Sequence, residues 1–143
     1  KIKKVQTSES LGLAIDEHLT SKNHINNITK KISSGISALQ RVRPFIDSGT
    51  AVKAYQGLVE PYFTYCSPVW DGLGCKLSEK LQKLQNRAAR VMTRSSYEVS
   101  SAYLLSELGW NVLKKVLLCT RCAMALLFNI YNSYLHQDIA NII

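Results

Sequence analysis

The chain has 143 residues, 46% of them hydrophobic and 20% charged, which suits one ordinary domain or two small ones and excludes a disordered tail. Seven Gly and three Pro exclude collagen-like and low-complexity classes. The net charge is +8 and uneven: residues 1–94 hold 15 basic and 7 acidic groups, whereas residues 95–143 hold three of each. A localised basic excess points to a polyanionic partner, nucleic acid before membrane, because no basic amphipathic terminus or lipidation motif is present. The longest apolar run, Cys122 to Phe128, falls far short of the ~20 residues of a membrane span. Lys1-Ile2-Lys3-Lys4 shows no Met and no signal-peptide core, so the expectation is an internal segment of a longer protein.

Residues 1–16 read as extended. Lys3-Lys4-Val5-Gln6-Thr7 and Leu11-Gly12-Leu13-Ala14-Ile15-Asp16 flank the polar Ser8-Glu9-Ser10, which predicts two short strands around a turn. Two strands bury no face by themselves, so this hairpin requires more sheet or a helix beside it. Residues 23–42 follow as a helix, with Ile25, Ile28, Ile32, Ile36 and Leu39 in one stripe. Thr20, Ser21 and Asn23 offer caps at its start, and Pro44 ends it. Gly35 weakens its middle and permits close packing.

The next helix spans 49–66. Ser48 caps it, Val52, Tyr55, Leu58, Val59 and Tyr62 form its inner face, and Pro61 kinks or divides it. Pro68 and Asp71-Gly72 mark an exit loop, with Val69 and Trp70 as an anchor. A basic helix over 77–94 comes next. A short helix over 100–108 is capped by Ser100 or Ser101, and Gly109 fits the left-handed position after its end. From Asn111 a long helix runs to about Leu135. Val112, Leu113, Val116, Leu117, Cys119, Ala123, Leu126, Leu127, Ile130 and Tyr131 give it a broad apolar face. Such a face calls for several neighbours, or for self-association with a second subunit. The expected fold is mostly α: a short N-terminal β-hairpin (1–20), a helical bundle (21–95) and a helical connector ending in a long helix (96–143).

Residues 77–94 are the most informative. Leu77, Leu81, Leu84, Ala88 and Val91 repeat every three or four residues, and a base precedes each: Lys76, Lys80, Lys83, Arg87 and Arg90, with Arg94 continuing the series. At ~100° per residue the six bases fall within an arc of ~80°, forming a basic row ~27 Å long beside the apolar stripe. Only Glu79 opposes them. Like charges at i,i+4 repel, and solvated faces usually mix signs, so the row points to phosphate contact. Lys30, Lys31, Arg41 and Arg43 are secondary phosphate candidates, with Lys30 and Lys31 reading equally well as plain surface groups. Gln82, Gln85 and Asn86 lie to the other side of the bases, which weighs against base readout.

No catalytic centre emerges. Asp16, Asp47, Asp71 and Asp138 are scattered, so no Asp pair is set to hold two magnesium ions. Gly72-Leu73-Gly74 is an isolated turn and not a phosphate loop. His18, His24 and His136 lack ligand spacing and read as surface or capping residues. Cys66, Cys75, Cys119 and Cys122 include one C-x-x-C, but it lies in a helical pattern, and the Cys66–Cys75 gap is wrong for a zinc knuckle. Reduced thiols in an intracellular protein, nuclear or cytoplasmic, are the expectation.

Three segments together resemble one family. Leu11-Gly12-Leu13-Ala14-Ile15-Asp16-Glu17-His18-Leu19-Thr20, followed by His24-Ile25, resembles the segment that closes the palm of non-LTR (LINE-type) retrotransposon reverse transcriptases and leads into the thumb. Tyr55-Gln56-Gly57-Leu58-Val59-Glu60-Pro61-Tyr62-Phe63-Thr64-Tyr65-Cys66-Ser67-Pro68-Val69-Trp70 is similar to that family's thumb helix. Lys80-Leu81-Gln82-Lys83-Leu84-Gln85-Asn86-Arg87-Ala88-Ala89-Arg90-Val91 resembles its "L-x-x-LQ-N-R-A-x-R" helix. Ser21 stands where the family usually has Trp, and residues 111–143 follow the family less closely.

The resemblance implies the end of the palm, the thumb and a connector of an RNA-directed DNA polymerase, whose catalytic aspartates and magnesium belong to a palm domain upstream. No cofactor is implied for these residues themselves. The implied partners are that palm domain and an RNA–DNA or DNA duplex held by backbone phosphates without sequence reading. Leu11 and Gly12 would lie at the primer-grip turn, where a small residue lets the primer approach. The alternative is a domesticated, non-catalytic helical module that binds nucleic acid or protein.

Overall fold

The structure is a computed structural model that describes residues 6–70, 72 and 74–140, with side chains as far as Asn132. Lys3-Lys4-Val5 of the expected first strand, Asp71 and Leu73 lie outside the described residues, as do the side chains of Leu135, His136 and Asp138. The fold is mostly α with a short N-terminal hairpin. Strands β1 (Thr7–Ser10) and β2 (Leu13–Asp16) pair antiparallel, with Thr7 opposite Asp16 and Ser10 opposite Leu13. Ser8-Glu9-Ser10, expected as the turn, is therefore strand. The turn is Leu11-Gly12, with φ of 49° and 77°. Both residues in the left-handed region make the tight two-residue connection whose twist suits a hairpin. The Tyr65 hydroxyl donates to the Leu11 carbonyl at 2.8 Å and ties this turn to the bundle.

Helix α1 (Lys22–Val42) buries the expected stripe of Ile25, Ile28, Ile32, Ile36 and Leu39. Of the three expected caps only Thr20 reaches its start, its hydroxyl accepting from the Lys22 N–H at 3.4 Å. Ser21 is the N-cap residue at φ 55° without a side-chain bond, while the Asp16 carboxylate accepts from the backbone N–H of His18 and Thr20 and from the Thr20 hydroxyl. The Thr20 bonds hold the Asp16 carboxyl below its ordinary pKa. His24, expected at the surface or as a cap, is buried beside Trp70, with ring centroids 6.1 Å apart. Its Nδ1 accepts from the Ala14 N–H at 3.4 Å, so the imidazole couples β2 to the bundle.

A 3-10 turn, Arg43–Phe45, follows at Pro44. Helix α2 (Ser48–Leu58) is capped by Asp47, whose carboxylate accepts from the Thr50 N–H, and not by Ser48. The expected 49–66 helix is divided. It breaks at Val59, and α3 (Glu60–Thr64) starts again with Pro61 in its first turn, where a missing N–H costs nothing. The inner face is Ala51, Tyr55, Val59 and Phe63, whereas Val52 and Leu58 are exposed. A run at every fourth position fits a helix that crosses α1 tightly. Gly35 marks that crossing: a Cβ there would stand 2.8 Å from the Leu58 carbonyl oxygen. The expected exit loop is one more turn of helix, α4 (Ser67–Trp70), whose Trp70 is fully buried and donates to the Tyr65 carbonyl, while Val69 faces solvent.

Helix α5 (Cys75–Thr93) completes the core between α1 and α2. Helix α6 (Ser101–Glu107) packs Leu104 and Leu105 on Ala89, and Gly109 takes the left-handed conformation after it at φ 67°. Trp110 stacks on Tyr55 at 4.3 Å and packs, half-buried, against the core. Helix α7 (Leu113–Ala140) buries Leu113 and Leu117, but every side chain from Arg121 to Tyr131 is exposed. Its broad apolar face is therefore covered over its first turns only. Among the described residues no helix is long and apolar enough to cross a membrane.

Candidate nucleic-acid interface

The basic row is laid down by α5 and bordered by α1. The Lys80 ammonium donates to Asn26 Oδ1 at 3.0 Å, Arg87 Nη2 to Ser37 Oγ at 3.3 Å, and Arg43, just past α1, to the Met92 carbonyl. These contacts advance together along both helices, so α1 and α5 run in the same direction. Asn26, Lys30, Ser37 and Arg41 share one edge of α1 at ~100° per residue, which sets Lys30 and Arg41 beside the row. Lys31 lies around the helix, 5.8 Å from the Tyr62 ring centroid on α3, and does not join it.

The six bases differ in their surroundings, and Arg94 is exposed like the lysines. Lys76, Lys80 and Lys83 are exposed, and Lys76 and Lys83 make no hydrogen bond among the described residues. Arg87 and Arg90 are half-buried. Arg90 donates from Nη1 to the Asn86 carbonyl and from Nη2 to the Val99 carbonyl and Ser101 Oγ, and its guanidinium lies 5.3 Å from the Tyr97 ring. Arg94 closes α5 in the left-handed conformation at φ 56°, where glycine is usual. Its Nη2 reaches back to the carbonyls of Arg43 at 2.7 Å and Ile46 at 3.2 Å. Among the described residues no carboxylate pairs with any of the six.

Arg43 corrects a sequence expectation. It is 7% exposed, with Nε and Nη2 donating to the Met92 carbonyl, Nη1 to Ile46 and Nη2 also to Ser48 Oγ. Its donors are spent inside the fold, so it is a latch and not a surface phosphate contact. With Arg94 it forms a reciprocal clasp: each arginine satisfies carbonyls at the end of the other's helix. Cations also suit helix C-termini, where the dipole is negative.

The amide side chains proved to have a structural use. Gln82 Nε2 donates to Gln85 Oε1 and Asn86 Oδ1, Gln85 Nε2 donates to the Asn111 carbonyl, and the Leu113 N–H donates to Gln82 Oε1. This cluster docks α7 by capping its first N–H, a use that spacing at i, i+3 and i+4 hinted at without naming the partner. The primer-grip-like pair, Leu11 and Gly12, sits at the hairpin turn. Leu11 is exposed, and a Cβ on Gly12 would meet nothing closer than Tyr65 Cε1 at 4.0 Å. The positive φ, and not crowding within the chain, selects glycine there.

The cysteines are free, and among the described residues no group of three or more His, Cys, Asp or Glu side chains gathers to hold a metal ion. No protein-family model matches this chain, and no curated protein or solved structure does either.

Proposed function

We propose that the chain is the palm-end, thumb and connector portion of a reverse transcriptase of the non-LTR type, and that it holds a template–primer duplex through backbone phosphates. The resemblance of the hairpin, the Tyr55–Trp70 segment and the α5 motif supports the lineage. The observation that carries the binding role is the row of bases on α5 that no carboxylate neutralises, bordered by Lys30 and Arg41. A straight charged ridge without ordered base-reading amides suits sequence-independent phosphate contact. The exposed Leu11, Leu19 and Val69 around the hairpin supply the apolar surface on which a palm domain would rest, and the polymerase's magnesium chemistry would belong to that domain. A second reading, a non-catalytic interaction module, draws on the exposed Leu126, Leu127, Phe128 and Tyr131 of α7, a face suited to self-association.

The test uses Lys76, Lys80 and Lys83, which are all exposed and of which only Lys80 bonds another residue, Asn26 on α1. Replacing all three by Gln is expected to weaken binding to an RNA–DNA hybrid of any sequence. The slope of log K against log salt should fall by about 2–3, at about 0.7–0.9 per phosphate contact, with the unfolding midpoint unchanged. A slope equal to that of the parent chain overturns the phosphate role of this row.

A further inference from the structure

A cavity of about 270 Å³ opens between the C-terminal ends of α1 and α5 and the loop that follows α5. Arg87, Arg90, Arg94, Tyr97 and Gln40 line it, together with the latch residue Arg43, and no carboxylate does. The backbones of Arg87 and Arg94 stand about 10.5 Å apart along the helix axis, and both side chains line the cavity. Each has bonded the protein through Nη2 alone, which leaves Nε and Nη1 of both guanidinium forks for another acceptor. On the same wall Arg90 Nε is buried and has no acceptor at all. An unmet guanidinium N–H is costly to leave, and an anion nearby lowers that cost.

The aromatic member is placed for a different task. Tyr97 is 83% exposed, yet Arg90 lies 5.3 Å from its ring centroid. One ring face is therefore held by a cation, and most of the ring remains open to solvent. An open aromatic face next to guanidinium groups is the arrangement on which unpaired bases stack. The size is discriminating, since a concave space of this volume is slightly smaller than a drug-sized site and admits a single nucleotide but no duplex.

We propose that this cavity seats one unpaired nucleotide of a bound strand, its base stacked on Tyr97 and its phosphate between the Arg87 and Arg94 guanidinium groups. The proposal rests on the reading of the α5 row as a nucleic-acid surface: the row tracks paired backbone, and the cavity at its end takes the first residue that leaves the duplex. It adds a preference for a junction between double and single strand, which the row by itself does not create.

The experiment measures binding of the full chain to two RNA–DNA hybrids of equal duplex length. One is blunt and one carries a single-stranded overhang beginning with 2-aminopurine. The expected result is about tenfold tighter binding of the overhang hybrid, a size typical of one base–aromatic stack, together with quenching of the 2-aminopurine fluorescence. Tyr97→Ala should bring the affinity ratio of the two hybrids to one and abolish the quenching, and Tyr97→Phe should keep both. Because Tyr97 is exposed, neither change threatens the fold. Equal binding of the two hybrids by the parent chain, or a ratio that survives Tyr97→Ala, overturns the cavity proposal while leaving the row intact. Binding of neither hybrid overturns both readings.

Discussion

Lys76, Lys80 and Lys83 at one end of α5 and Arg87, Arg90 and Arg94 at the other share a face and a spacing, but their surroundings differ. Past Lys83 the helix enters the angle between α1, the Arg43–Phe45 turn and α6, where backbone carbonyls of Arg43, Ile46 and Val99 come within reach. A planar guanidinium can bond two such carbonyls and still present donors or a stacking face on its other edge. A lysine ammonium is strongly hydrated and stays in water, as it does at the open end. Equal charge along a helix therefore does not mean equal function: the lysine end is surface, and the arginine end joins structure to a cavity.

The largest expected effect strikes the arginine end. Arg43→Ala removes bonds to Met92, Ile46 and Ser48 in a buried setting and should cost about 3 kcal/mol by chemical denaturation, since bonds to a charged donor are among the stronger ones. Lys83→Ala should stay within about 0.5 kcal/mol of the parent, as exposed substitutions do. Equal losses in the two variants would erase the distinction. A smaller effect sharpens it: Arg94→Lys keeps the charge but loses the fork between Arg43 and Ile46, and a loss of about 1 kcal/mol is expected in the same assay.

The smallest effect lies away from α5 and serves as its control. Burial, aided by the charge of Lys31, holds the His24 pKa below its ordinary 6.5. The unfolded chain then takes up this proton before the folded one does. Stability from this group is complete above about pH 6.5 and falls as pH drops from there through the lower folded value. Titrated unfolding should show that fall in the parent and lose it in His24→Gln, with the Arg43 and Lys83 difference unchanged above pH 7.

The predicted helices were legible wherever an apolar stripe repeated cleanly, as at Ile25 to Leu39, because that period suits a buried helix face in almost any packing. Within 49–66 the same rule chose Val52 and Leu58 over Ala51 and Phe63. Several phases of an apolar-rich helix satisfy the period, and the crossing at Gly35 selects among them. Capping was legible only as a choice of types: Thr20, Ser21 and Asn23 are all suitable, and Asp16 at the end of β2 decides among them by holding the Thr20 hydroxyl where it accepts from the Lys22 N–H. Of the candidate site, charge, face and spacing were visible in the sequence. The diversion of Arg43 and the exclusion of Lys31 were not, since both depend on elements distant along the chain.

From its sequence alone this protein is a mostly helical chain with a short hairpin, a charge excess confined to its first two thirds and six bases on one helical face. These follow from local periodicity and composition, which act over a few residues whatever the rest of the chain does. Tertiary structure decided which bases remain free, which clasp carbonyls 48 to 51 residues away, and that Tyr97 meets Arg90 over a cavity. Those outcomes depend on how α1, α5 and α6 come together, and a guanidinium has no preference between protein and ligand acceptors until the fold places one of them within 3 Å.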